Sequence, residues 1–144
     1  MQVLYTAEVT ASGDGRNGHV ASSDGILDFD VRTPKEMGGA GGATNPEQLF
    51  AAGYAACYHS ALRSVARRTL GAGAAGAVDG SEVHAKVGIG PNGAGGYGLE
   101  VWLTVTLPAL DPDAAQRLAD AAHQVCPYSN ATRGNIDVHI EVAK

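Results

Sequence analysis

Cys57 and Cys126 are the only cysteines in the chain, and each lies in a distinctive run, NPEQLFAAGYAAC for the first and HQVCPYSNATRGN for the second. Such a pair has three chemical readings: a structural staple, two inert buried thiols, or a reactive nucleophile with a resolving partner. The thiolate is the nucleophile, and an apolar setting raises a thiol's pKa. Cys57 falls in the middle of a helix-forming segment, away from the helix N-terminus that lowers thiol pKa values. It therefore needs a cation to react. Arg16, Arg63 and Arg133 are the candidates. Arg63 follows Cys57 by six residues, which places it on another helix face. Arg16 lies between Gly15 and Gly18, so its backbone can fold close to a partner. A guanidinium drawn into a dry pocket needs an acid beside it. Glu47, in the first turn of the Cys57 helix, is the natural choice.

Cys126 stands at the end of a predicted helix, where the dipole disfavours a negative sulfur. That suits a resolving cysteine, which attacks after its partner has been oxidised. Peroxide chemistry fits this division. A thiolate attacks the O–O bond, becomes a sulfenic acid, and condenses with a second thiol. The buried-thiol reading stays open, because free cysteine is among the most buried residue types. Glu47 and Cys57 are about 15 Å apart along one helix axis. A compact cluster of cysteine, arginine and glutamate is therefore hard to build within one helix. Two such helices packed antiparallel across a two-fold axis would solve this, which predicts a homodimer with sites at the interface.

The elements that must carry these residues are legible in the pattern. Residues 2–11 alternate as a strand, with Val3, Tyr5, Ala7 and Val9 on one face. His19 to Ser23 and residues 26–32 form two more strands, joined by the hairpin signal Asp24-Gly25. The long helix opens with Asn45 as N-cap, Pro46 at N1 and Gln48 completing a capping box, and Gly71 ends it. From Leu49 to Ala61 it is apolar or small all round, which predicts burial on most sides, against a sheet and against a second subunit. LGAGAAGAVDGS reads as a flexible connector. Residues 82–90 and 99–107 alternate as strands. A second helix starts at Asp111-Pro112 and runs to about Val125, where Pro127 stops it. After a short turn, Ile136, Val138, Ile140 and Val142 mark the last strand. The order β-β-β-α-β-β-α-β, with antiparallel hairpins and helices on one side, is an α+β fold in one domain over residues 1–144.

Composition narrows the function classes. The chain has 144 residues, is 44% hydrophobic and carries a net charge of −5, so it can build a core. Its ten Lys and Arg are scattered, which argues against a nucleic-acid surface. No apolar run reaches membrane-span length, and the alternating N-terminus is not expected to be a signal peptide. A cytosolic setting follows as an expectation, and there a cysteine pair is more often redox-active than a staple. The glycines at 38–42 lack the GK[ST] ending of a phosphate loop. The five histidines show no metal spacing. His59 falls on a different helix face from Cys57 and is not read as a catalytic base, and His123, three before Cys126, reads as a satisfied surface or core histidine rather than one that tunes the second thiol. Met37, Leu49, Phe50, Tyr58 and Tyr128 are candidates for an apolar pocket.

GGAGGATNPEQLFAAGYAAC and AAHQVCPYSNATRGNIDV resemble the two signature blocks of the organic hydroperoxide resistance proteins, within the OsmC/Ohr superfamily. VLYTAEVTASGDGRNG, SSDGILD and VGIGPNGAGGYGLEV resemble its other segments in the same order, so the resemblance spans essentially the whole chain. It implies an intertwined α+β homodimer with active sites at the subunit interface. It implies that Cys57 is the peroxidatic cysteine, Cys126 the resolving one, Arg16 the arginine that holds the thiolate, and Glu47 that arginine's partner. It implies reduction of organic hydroperoxides, including those of fatty acids, to alcohols. Recycling by dihydrolipoyl groups on lipoylated proteins is implied too, with no metal or prosthetic group. Three departures stand out: a glycine loop one residue short, Tyr58-His59-Ser60 after the cysteine, and the Gly/Ala-rich stretch at 71–80. A thiol-based redox sensor and a small-lipid binder of the same fold are the alternative functions.

Overall fold

The computed structural model describes residues 1–143, which fall into two units, one from Met1 to Leu49 and one from Phe50 onward. The elements are β1 (Val9–Ser12), β2 (His19–Ser22), β3 (Asp28–Asp30), α1 (Pro46–Leu70), α2 (Ala74–Ala77), β4 (Glu82–Pro91), β5 (Tyr97–Thr106), α3 (Pro112–Val125), α4 (Pro127–Thr132) and β6 (Val138–Val142). The α+β class holds, and the six strands fall at the expected places in the chain.

The first unit is an antiparallel sheet in the order β1-β2-β3. Its hairpin turns at Asp24-Gly25: Gly25 has φ +73°, and the Asp24 carboxylate accepts from the Ile26 N–H and the Ser22 hydroxyl. The first strand is shorter than the predicted 2–11. Val9 pairs with Ser22, where β2 ends, and beyond it the Glu8 carbonyl accepts from the Ser23 N–H. Residues 1–8 outrun their partner strand and are exposed, Val3, Leu4 and Tyr5 included. The glycines at 38–42 close a tight loop, with the Gly39 and Gly41 N–H groups donating to the Pro34 and Thr33 carbonyls.

The second unit holds the core. β4 pairs antiparallel with β5, and β5 pairs parallel with β6. The parallel pair differs from the all-antiparallel expectation. Its cause is the crossover: α3 and α4 lie between β5 and β6 in the chain, and a helical connection returns the strand in the same direction. Val101, Leu103 and Val105 on β5 are fully buried and pack with Tyr54, Tyr58, Leu62 and Val65 of α1 and Leu118, Ala119 and Ala122 of α3. Removing a side chain from this centre leaves a cavity. Leu103→Ala is expected to cost about 2–5 kcal/mol, read as a lower urea midpoint.

One helix expectation is met in part within the single chain, and another changes. Within the chain α1 buries one stripe, Tyr54, Tyr58, Ala61, Leu62, Val65 and Ala66, and leaves Ala52, Ala56 and Ser60 exposed. Small side chains satisfy a hydrophobic count without filling space, so burial follows the bulky residues. The stretch after Gly71 is not a loose connector. It forms a 3-10 turn and α2, and buries Ala74 and Val78. Alanine in mid-stretch supplies helix propensity that the glycines dilute.

Candidate active site

The Cys57 helix is started by its sequence. The Asn45 side chain accepts from the Gln48 N–H at 2.9 Å, and the Gln48 side chain accepts from the Asn45 N–H at 3.2 Å. This reciprocal cap satisfies two of the donors that a helix start leaves open. Glu47 lies in that first turn, where its charge also suits the helix dipole.

In the first unit the structure brings Arg16 and Glu47 together. The guanidinium donates two parallel bonds to the carboxylate, Nη2 to Oε1 at 2.6 Å and Nη1 to Oε2 at 3.0 Å. Such bidentate pairs are strong and fix orientation as well as distance. The Arg16 hydrogen bonds hold the Glu47 carboxyl below the usual carboxylate range, against the opposing effect of burial. The glycines around Arg16 have distinct reasons. Gly15 has φ +51°, and a Cβ on Gly18 would lie 2.0 Å from the Ser12 carbonyl oxygen. The tight turn that presents Arg16 therefore depends on both.

In the second unit the structure brings the two sulfurs together. Cys126 Sγ lies 3.8 Å from Cys57 Sγ, with both thiols free. The two are unequal. Cys57 is partly exposed, whereas Cys126 has no exposed surface. Burial pushes the Cys57 thiol up, and the neighbouring Cys126 adds to the rise. A hydrogen bond from the Tyr128 backbone N–H opposes this without overcoming it. Among the described residues of the second unit, no positive charge lowers the Cys57 pKa.

The setting of Cys126 departs from the sequence expectation. It ends α3, its N–H donating to the Ala122 carbonyl, and it also begins α4. Its carbonyl accepts from the Asn130 N–H, and its sulfur takes the N-cap place, accepting from the Ser129 N–H at 3.5 Å. The field at this sulfur therefore comes from two helix ends of opposite sign, and the argument from one C-terminus fails. α4 escaped the sequence reading because six residues show no period. Its one signal was Pro127, which blocks α3 and fits the first position of a new helix.

Other residues of the site were not singled out in the sequence. The Tyr54 hydroxyl donates to Ser129 Oγ at 3.0 Å and lies 3.1 Å from Thr132 Oγ1, all three buried. This ties α4 to α1 and so positions the residues that follow Cys126. Tyr54→Phe is expected to cost about 1–2 kcal/mol in a urea melt, because it strands buried hydroxyls. Gly53 lies under Tyr128: a Cβ there would come 2.8 Å from the phenol oxygen. Phe50, Tyr54 and Tyr128 form an aromatic cluster with centroids 5.6–6.1 Å apart. A glycine and a tyrosine inside an alanine-rich helix were the available signal.

The remaining candidates take structural places. Tyr58 is fully buried and its hydroxyl donates to the Ala119 carbonyl at 2.6 Å, so it is a core residue rather than a pocket wall. Phe50 and Tyr128 stay at the partly exposed edge of the aromatic cluster, and Met37 and Leu49 belong to the first unit. Arg63 donates to the Val78 carbonyl at 3.3 Å, and Arg133 to the His123 carbonyl at 2.7 Å, fixing the turn after Cys126. His59 meets the Ser81 hydroxyl at 2.9 Å, and burial lowers its pKa. The buried Nδ1 of His123 has no partner among the described residues. Among the described residues no helix is long and apolar enough to cross a membrane.

Known proteins resemble this chain in sequence and in fold. A family profile described as OsmC-like protein matches residues 39–141. The chain is 53% identical to an organic hydroperoxide resistance protein of Xanthomonas axonopodis pv. citri over 143 residues, covering 99% of this chain and 96% of that protein. A crystal structure of an organic hydroperoxide resistance protein from Legionella pneumophila superimposes with a TM-score of 0.91 at 44% identity, covering 99% of this chain and 100% of that one. The Bacillus subtilis organic hydroperoxide resistance protein OhrB superimposes with a TM-score of 0.82 at 44% identity, covering 98% and 100%. With this matched length and identity, the chain belongs to the OsmC-like family, in the branch of the organic hydroperoxide resistance proteins.

Proposed function

We propose that the protein is a cysteine peroxidase that reduces organic hydroperoxides, alkyl and fatty-acyl, to alcohols. The observation that carries this reading is the pair of free sulfurs 3.8 Å apart, one reachable from solvent and one not. The Cys57 thiolate attacks the outer peroxide oxygen. The O–O bond breaks, the alkoxide leaves and takes a proton, and Cys57 becomes a sulfenic acid. The Cys126 thiol then attacks that sulfur, and water leaves as the disulfide forms. A dithiol returns both sulfurs to thiols. Dihydrolipoamide, or lipoyl groups on a partner protein, is the reductant in this scheme, and no bound metal or prosthetic group is needed.

Arg16 supplies the positive charge that makes Cys57 a thiolate, and Glu47 orients Arg16. A homodimer completes the site, with residues 1–144 of each copy acting as one domain in a cytoplasmic enzyme. The names of the relatives support hydroperoxide detoxification, and the paired Arg16 and Glu47 support the activation scheme.

The test is turnover. Reduced protein is mixed with tert-butyl hydroperoxide and excess dihydrolipoamide, and peroxide loss is followed. Many equivalents consumed per chain is the expected result. Oxidation of one equivalent without turnover would point to a redox sensor. No thiol loss would leave a lipid binder with inert cysteines.

A further inference from the structure

The Cys57 sulfur does not open onto a featureless surface. A groove of about 410 Å³ runs from it along α1, bounded by Ser60, Ser64 and Arg68 on the helix and by Val125 and Pro127 opposite. That volume lies within the range of small-molecule sites. Ser60, Ser64 and Arg68 follow Cys57 at three, seven and eleven residues, which keeps them on one helix face. The floor is small because the side chains are serine and alanine, and the opposite wall is apolar. Among the described residues, Arg68 is the one charged side chain that lines it. It is exposed and has no hydrogen-bond or ion-pair partner among the described residues.

We propose that Arg68 is a specificity-determining residue that anchors the carboxylate of a long-chain hydroperoxy acid while its peroxide sits at Cys57. The inference rests on the peroxidase reading and adds a residue that selects among its substrates. The lengths agree. Eleven residues of helix span about 16 Å, shortened by the tilt of side chains toward the helix N-terminus. An extended hydrocarbon chain rises about 1.25 Å per bond at tetrahedral bond lengths and angles. A peroxide eight to twelve bonds from the carboxyl carbon therefore lies roughly 10–15 Å from it. The acyl segment between would lie along Val125 and Pro127, and a guanidinium binds a carboxylate by paired hydrogen bonds. A short alkyl hydroperoxide fits at Cys57 and cannot reach Arg68.

The experiment compares kcat/KM for three peroxides: a mid-chain hydroperoxide of an 18-carbon fatty acid, its methyl ester, and tert-butyl hydroperoxide. It uses the wild-type protein, Arg68→Gln and Arg68→Lys. The wild type is expected to prefer the free acid over the ester by about fivefold, the scale of one partly solvated charge pair. Arg68→Gln should remove that preference by raising KM for the acid, with kcat and tert-butyl hydroperoxide turnover unchanged. Arg68→Lys should keep part of it, and added salt should shrink it. An acid-to-ester ratio that is the same in wild type and Arg68→Gln, with tert-butyl hydroperoxide still consumed, would overturn the anchor and leave the peroxidase reading intact. Failure of the wild type to reduce any of the three would overturn both.

Discussion

Serine in place of Cys57 is expected to reduce peroxide consumption by at least about 10³-fold, the scale of losing a covalent nucleophile. The fold should survive, because Cys57 is only partly buried at the edge of the core and serine is close to it in size. Cys126→Ser separates the two halves of the cycle. Cys126 is fully buried and Cys57 is partly exposed, so loss of Cys126 should leave the first oxidation intact. The variant should accumulate a sulfenic acid on Cys57, trapped by dimedone, and stop after one equivalent. Serine is also a good N-cap, so it can accept the Ser129 N–H that the sulfur accepts now and keep α4 in place. If Cys57→Ser consumed peroxide at the wild-type rate, the assignment of the nucleophile would be wrong.

The second large effect concerns the cation. Burial raises the Cys57 pKa, and the adjacent thiol raises it further, so the second unit by itself favours the unreactive form. The proposed correction comes from Arg16. Arg16→Ala is expected to slow peroxide attack by about 10²-fold, comparable to removing a preorganised electrostatic partner. It should also move the pH profile of Cys57 alkylation to higher pH, because alkylation follows the thiolate and the thiolate loses its counter-charge. Glu47→Gln should fall between, keeping Arg16 but loosening its hold. The sign at acid pH is opposite in origin. Glu47 has its folded pKa lowered by Arg16, so its contribution is complete above the ordinary carboxylate pKa and is lost as pH falls through the lowered folded value. The pair is therefore intact at neutral pH. An alkylation profile that did not move in Arg16→Ala would remove Arg16 from the scheme.

What the residues announced, and what they hid, divides along the range of the interactions. Asn45-Pro46 with Gln48 and Asp111-Pro112 are local signals, and both helices begin where those caps stand. Val101, Leu103 and Val105 alternate, and their side chains are buried. The ends of elements were less legible because they are set by partners. β1 could not be cut to Val9–Ser12 without knowing that β2 stops opposite it. β6 could not be known to run parallel to β5 without the crossover. The Arg16–Glu47 pair in the first unit and the two cysteines in the second were readable from residue type. The Tyr54 hydroxyl reaching Ser129 and Thr132 was not, since those bonds join positions 75 and 78 residues apart. Cys126 was placed correctly and its surroundings were not, because a helix of six residues has no periodicity to detect.

The central claim is that one hydroperoxide converts Cys57 and Cys126 of one chain into a disulfide. The direct measurement treats fully reduced protein with a single equivalent of organic hydroperoxide, counts the remaining thiols, and maps the cross-linked peptides by mass spectrometry after proteolysis. Loss of both thiols per peroxide, with one peptide pair joining Cys57 to Cys126 within a chain, is the predicted result. A stable sulfenic acid on Cys57 beside a free Cys126 thiol, or two thiols untouched, would contradict it.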